Sequence, residues 1–275
     1  MGSVLISVDE LRTLTAPVVL DVRWQLGDPD GREHYRGGHI PGAIYVDLDA
    51  DLAATPTAAA GRHPLPDVAD LQESVRRWGI EPDSSVVCYD DLGGQAAARA
   101  WWLLRWAGVA DVRLLDGALE AWRSAGLELE TGDESTPAPS SMVLTPQQLP
   151  TMTIDEVAEF DGVLLDARAG ERYRGEQEPM DPRAGHIPGA LSAPSGENLT
   201  ADGHFRSAAD LRARFTELGV AAGTPVAAYC GSGVTAAHEV AALAIAGFEA
   251  ALFPGSWSQW SNNPSRLAAT GPDPG

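Results

Sequence analysis

Cys230 heads the run Cys230-Gly-Ser-Gly-Val-Thr-Ala236, directly after the apolar stretch Val226 to Tyr229 and before a helical pattern over Thr235 to Ala246. The order strand, tight loop, helix places its sulfur at a strand's carboxyl end. Backbone N–H groups of the loop and the positive end of the helix dipole then surround the sulfur and favour its anionic, nucleophilic form. Gly231 and Gly233 let the backbone curl around it without Cβ clashes. Ser232 has two readings: a hydrogen-bond donor to a substrate or leaving group, or a small loop residue. Thr235, with Val234 before it, reads as the cap of the following helix. The other cysteine, Cys88, sits two positions earlier in an equivalent apolar run and reads as a small core residue.

What positions such a cysteine is an internal repeat. Val19-Leu-Asp-Val-Arg23 answers Leu164-Leu-Asp-Ala-Arg168, and Gly38-His-Ile-Pro-Gly-Ala43 answers Gly185-His-Ile-Pro-Gly-Ala190. Val86-Val-Cys-Tyr-Asp90 answers Val226-Ala-Ala-Tyr-Cys230, and Asp116-Gly117 through Trp122 answers Pro254-Gly255 through Trp260. Two domains are expected, over residues 1–130 and 151–275, with a Gly/Ser/Thr/Pro-rich linker over 131–150. Short apolar runs at Val18 to Leu20, Val86 to Val87, Val112 to Leu115, Val163 to Leu165, Val226 to Tyr229 and Ala250 to Phe253 alternate with helical stretches such as Ala96 to Trp106. That alternation predicts an α/β fold in which each domain is a mainly parallel central sheet flanked by helices, with ligands gathering beyond the carboxyl ends of the strands. Asp90 stands where the second repeat has Cys230, and a carboxylate cannot perform thiolate chemistry, so the first domain is expected to be inactive. Asp21 and Asp166 close strands and pair with Arg23 and Arg168 as scaffold. Trp101, Trp102, Trp106 and Trp122 read as packing, and Trp257 and Trp260 as core residues or a pocket wall.

Composition removes whole classes of function. The chain has 19 basic and 39 acidic residues, a net charge of −20, divided as 11 against 23 before Pro137 and 8 against 16 from there on. Both halves are acidic, which argues against nucleic acid and anionic membrane as partners. Every basic residue is arginine, which excludes a Schiff-base lysine, a pyridoxal-phosphate anchor and a P-loop lysine. No secretory pattern opens the chain, no apolar run reaches about 18 residues, and two isolated cysteines do not make a disulfide framework. A cytoplasmic location is expected.

Taken together, the tandem units with their Leu-Asp-Val/Ala-Arg strands, Gly-His-Ile-Pro-Gly-Ala turns and Cys-Gly-Ser-Gly-Val-Thr-Ala loop resemble the two-domain rhodanese family of sulfurtransferases over nearly the whole chain. Within that family the loop most resembles that of the 3-mercaptopyruvate sulfurtransferases, because thiosulfate-specific members carry basic residues where this chain has Gly231 and Ser232. The resemblance implies that Cys230 takes a sulfur from a small-molecule donor as a persulfide, releasing pyruvate, and passes it to a thiol, cyanide or thioredoxin-like acceptor. It implies no cofactor and no metal. A carboxylate donor calls for arginine forks. Arg172 matches the family's first substrate-binding arginine. Arg183 is the candidate for the second, although the family places that residue directly after a Glu-Pro pair and here Glu178-Pro179 is followed by Met180. Both arginines also have a plainer reading, as surface partners of Glu171, Glu176 or Asp181. The resemblance further implies that Ser232 works with a histidine and an aspartate from the first domain, which points to His39 and Asp30. The twin His186 in the second repeat argues instead for a structural role of both histidines.

Other readings are weaker. Gly231-Ser-Gly233-Val-Thr-Ala236 fits a dinucleotide fingerprint, but too little chain follows to complete a nucleotide-binding sheet. A phosphatase loop would carry an arginine at position 236, which is Ala. A thiosulfate sulfurtransferase and a non-catalytic sulfur carrier or binding module remain as alternatives.

Overall fold

The repeat folds twice into a fully parallel sheet, because its strands are buried on both faces and the crossovers between them carry the helices. The computed structural model describes residues 2–133 and 137–275, so residues 134–136 of the expected linker lie outside the described residues. The first sheet contains β1 (Leu5–Ile6), β2 (Val18–Asp21), β3 (Ile44–Tyr45), β4 (Ser85–Tyr89) and β5 (Asp111–Leu115), in the order β1-β5-β4-β2-β3. The second contains β6 (Val163–Asp166), β7 (Leu191–Ser192), β8 (Val226–Tyr229) and β9 (Ala251–Leu252), in the order β7-β6-β8-β9. Central strands match the expected apolar runs. The edge strands β1, β3 and β7 have two residues each and fall outside the expected runs, whereas β9, an edge strand of the same length, lies within the run Ala250 to Phe253.

Register lines up the repeat's landmarks. Leu20 pairs with Cys88 and Cys88 with Leu114, which puts Cys88 in the middle of the first sheet, where burial pushes its thiol pKa far up. In the second sheet Leu165 pairs with Ala228 and Ala228 with Leu252. Helices Ala97–Trp106 and Thr235–Ile245 follow β4 and β8, and both are apolar around most of their circumference, as befits helices packed inside an α/β layer.

The motifs shared by the repeats tie a turn to two strand ends. In the first unit Arg23 bonds Asp21 through Nη2 (2.8 Å) and reaches the Gly38 carbonyl (3.2 Å), while the Tyr89 hydroxyl donates to Asp21 (2.6 Å) and accepts the Ile40 N–H (3.0 Å). In the second, Arg168 Nη2 bonds Asp166 (2.5 Å) and the Gly185 carbonyl (2.7 Å), and the Tyr229 hydroxyl accepts the Ile187 N–H (3.1 Å). His39 stacks on Tyr35 with ring centroids 3.9 Å apart and bonds its carbonyl through Nδ1 (2.9 Å). His186 does the same on Tyr173, at 3.8 Å and 2.8 Å.

The compact units do not follow one cut in the sequence. The first comprises Met1–Ala54, Pro66–Leu149 and Ala201–Phe205, and the second Thr55–Leu65, Pro150–Thr200 and Arg206–Gly275. Thr55–Leu65, which the first repeat encodes, therefore packs with the second unit. Gln259 Nε2 donates to the Ala59 carbonyl (2.7 Å), and Gly61, at φ +93°, packs on the backbone of Gly255. Among the described residues, no helix is long and apolar enough to cross a membrane.

Candidate active site

Cys230 is the first residue beyond β8, and its loop is fixed from two directions. Its sulfur accepts the Gly233 N–H at 3.2 Å. Gly233 adopts φ +83°, and a Cβ there would lie 2.4 Å from the Pro254 carbonyl oxygen, so the turn that aims this N–H at the sulfur requires glycine. The Cys230 N–H donates to Ser256 Oγ (3.1 Å), which donates to the Phe253 carbonyl (2.9 Å). Trp257 and Ser258 donate backbone N–H groups to the carbonyls of Cys230 (3.0 Å) and Gly231 (2.8 Å). Ser256 holds the left-handed conformation, φ +52°, a strained backbone on which the positioning of the Cys230 amide depends.

Thr235 does not cap the helix. It is the helix's first residue, the cap position falls on Val234, and no side chain caps there because valine's side chain carries no hydrogen-bond acceptor.

Two residues beyond the cysteine, Ser232 Oγ lies 2.7 Å from His63 Nδ1, with both side chains buried. The residue beside His63, Arg62, pairs with Asp181. Arg172 pairs with Glu178 (2.7 Å) and Asp181 (3.5 Å). A methyl group on Gly231 would lie 3.0 Å from Arg62 Nη2 and 3.2 Å from Arg172 Nη1. Both guanidinium groups thus stand over the residue next to the sulfur. His63 and Arg62 were not singled out from the sequence. Their only signal is Gly61-Arg-His-Pro-Leu65, a short basic run between Gly and Pro in an acidic chain.

The other candidates have different immediate surroundings. The guanidinium of Arg183 is bonded to backbone carbonyls of Trp260 (2.8 Å), Ser261 (2.7 Å), Asn263 (3.0 Å) and Arg266 (2.6 Å), at the end of helix Ser256–Asn262. Carbonyls at and just beyond a helix's C-terminus attract a cation, and here they engage all three side-chain nitrogens of Arg183. His39 is engaged with Tyr35 in the first unit, and it is His63 whose ring meets Ser232. Asp30 takes the cap position of helix Gly31–Gly37 in the first unit without a side-chain cap bond. Trp257 and Trp260 belong to the core of the second unit, their indole N–H groups donating to the carbonyls of Arg183 (2.9 Å) and Leu267 (2.7 Å).

The repeated unit matches known proteins. The family model of the rhodanese-like domain matches residues 7–125 and again 146–263. The chain belongs to the rhodanese family. A Mycobacterium tuberculosis relative with the provisional name thiosulfate sulfurtransferase SseB is 49% identical over 278 residues, covering 98% of each chain. A Pseudomonas aeruginosa relative with the provisional name 3-mercaptopyruvate sulfurtransferase is 48% identical over 92% of each. The solved structure of 3-mercaptopyruvate sulfurtransferase from Leishmania major superimposes with a TM-score of 0.85 at 30% identity, over 94% of this chain and 74% of that one. This rhodanese-family chain is a sulfurtransferase.

The first repeat of this sulfurtransferase fills its equivalent loop with its own anion. Asp90 accepts four backbone N–H groups: Leu92 and Gly94 on Oδ1 (both 2.8 Å), Ala96 and Ala97 on Oδ2 (2.8 and 2.9 Å). Burial raises the carboxyl pKa and the four donors oppose that rise.

Proposed function

We propose that the chain transfers sulfur from 3-mercaptopyruvate through a Cys230 persulfide to a thiol, cyanide or thioredoxin-like acceptor. The observation that carries this reading is the 2.7 Å contact between His63 and Ser232, two residues from the nucleophile. Attack of the Cys230 thiolate on the donor sulfur forms an S–S bond and breaks the C–S bond, whose electron pair passes to the carbon as the enolate of pyruvate. That carbon needs a proton. A hydroxyl backed by an imidazole can deliver one, the imidazole nitrogen replenishing the hydroxyl. Thiosulfate would leave as sulfite and make no such demand. The persulfide then keeps the negative charge beside the Gly233 N–H and the N-terminus of helix Thr235–Ile245 until an acceptor thiolate or cyanide removes the outer sulfur.

Arg172 is assigned the donor carboxylate. A neutral loop suits this arrangement, since a larger side chain at Gly231 would displace the guanidinium groups that supply the positive charge. The test is a steady-state comparison of the two donors with one small acceptor. A kcat/KM for 3-mercaptopyruvate about tenfold or more above that for thiosulfate is expected, and the reverse order would give the chain to thiosulfate. Arg172→Ala should raise KM for 3-mercaptopyruvate with a smaller effect on kcat.

A further inference from the structure

We infer that Gln259 is a positioning residue for sulfur transfer: its side-chain amide holds the turn over residues 57–61 so that the imidazole of His63 meets Ser232. This rests on the reading of His63 as the group that replenishes the Ser232 proton. Residues 55–65 contain no helix or strand, and their backbone closes on itself once. The Gly61 N–H donates to the Thr57 carbonyl (2.8 Å), the Thr57 N–H to the Gly61 carbonyl (3.2 Å), and the Ala60 N–H to Thr57 Oγ1 (3.1 Å). Residues 55–59 are exposed, whereas Gly61 and His63 are buried. A cleft of about 320 Å³ lies against Ala58 and Ala59, so little packing fixes the outer half of the turn.

Gln259 supplies the tie. Its Nε2 donates to the Ala59 carbonyl (2.7 Å), at the tip of the turn. Two glycines make room for this contact. A methyl group on Gly255 would collide with Gln259 Oε1 and displace the amide, and one on Gly61 would lie 2.8 Å from the Gly255 carbonyl oxygen. The helix that carries Gln259, Ser256–Asn262, also braces the nucleophile, because Ser256, Trp257 and Ser258 bond the backbone of Cys230 and Gly231. Ser232 and His63 are thus set against one short helix, the first through its loop and the second through Gln259. Proton delivery depends on that registry, since a misplacement of about 1 Å can cost about 100-fold in rate.

A double-mutant cycle with His63 tests this. Gln259→Met keeps the length of the side chain and removes the donor, and it should lower kcat for 3-mercaptopyruvate by about tenfold or more. In a His63→Ala background the same substitution should change kcat by less than about twofold. Alkylation of Cys230 by iodoacetamide reads the nucleophile loop alone, and its rate should stay within about twofold of wild type. Gly255→Ala, whose methyl group takes the place of the amide oxygen, should reproduce the loss of kcat, and it decides the matter by the same readings if Gln259→Met does not fold. An unchanged kcat, an equal loss with and without His63, or alkylation that slows in step with kcat would overturn the inference. Wild-type protein inert towards 3-mercaptopyruvate, or His63→Ala with undiminished kcat, would contradict the proton-source reading instead. The imidazole Cε1–H NMR signal of His63, identified by its loss in His63→Ala, would then decide: a titration midpoint moved by Gln259→Met supports the tie, and an unmoved one overturns it.

Discussion

His63 Nδ1 and Ser232 Oγ stand 2.7 Å apart, although 169 residues separate them in the sequence. This link joins a hydroxyl two residues from the nucleophile to a buried imidazole. If it carries the proton to the departing pyruvate carbon, His63→Ala should lower kcat with 3-mercaptopyruvate by about 100-fold or more and leave turnover of thiosulfate within about tenfold of wild type. Parallel losses with both donors, measured at saturation, would show that the histidine only holds the loop.

Asp90 is predicted to be a structural anion. Asn at this position keeps one acceptor oxygen and turns an NH2 group towards two backbone N–H donors, so Asp90→Asn should destabilise the protein by on the order of 2–4 kcal/mol. Chemical denaturation reads this directly. Asp90→Cys should not add sulfur transfer, since Asp91 and Leu92 stand where the working loop has Gly231 and Ser232.

Arg183→Ala should act on stability. Removing the guanidinium takes away the side-chain donors to the carbonyls of Ser261 and Arg266, while those of Trp260 and Asn263 keep the backbone N–H groups of Asn263 and Arg266, with a cost of about 2–4 kcal/mol. KM for the donor should stay within about threefold of wild type. A large rise in KM with unchanged stability would return this residue to the substrate.

Glu239 gives a pH signature. It is fully buried in helix Thr235–Ile245, and burial pushes its carboxyl up to about 7 from 4.5 despite Arg214 at 3.2 Å and the amide of Asn198 at 2.6 Å. The folded chain then holds a proton that the unfolded chain has released, so this residue's contribution is full below about pH 4.5 and is lost as pH rises through about 7, by on the order of 3 kcal/mol. The melting temperature of the wild type minus that of Glu239→Gln should fall across this window and flatten above it. A difference that is constant with pH would contradict the shift.

Local pattern made much of this molecule legible. The central strands and the loop at Cys230 are contiguous in sequence, and the repeat aligned them, so alternation and glycine placement sufficed. Tertiary placement was not legible. Arg183 and Arg172 look alike in sequence, and only the fold determines that one guanidinium meets helix carbonyls and the other meets Glu178. His39 drew attention because its motif is repeated, yet that repetition reflects a turn stacked on Tyr35, twinned by His186 on Tyr173. His63 has no such motif, and its partner comes from the other repeat.

The central claim is that sulfur passes through Cys230. The most direct measurement is intact-protein and peptide mass spectrometry after brief exposure to 3-mercaptopyruvate without acceptor. One added sulfur atom should appear on the peptide containing Cys230, disappear when cyanide is added, and be absent from Cys230→Ser and from the Cys88 peptide. Added sulfur that persists in Cys230→Ser, or wild-type turnover by that variant, would contradict the account.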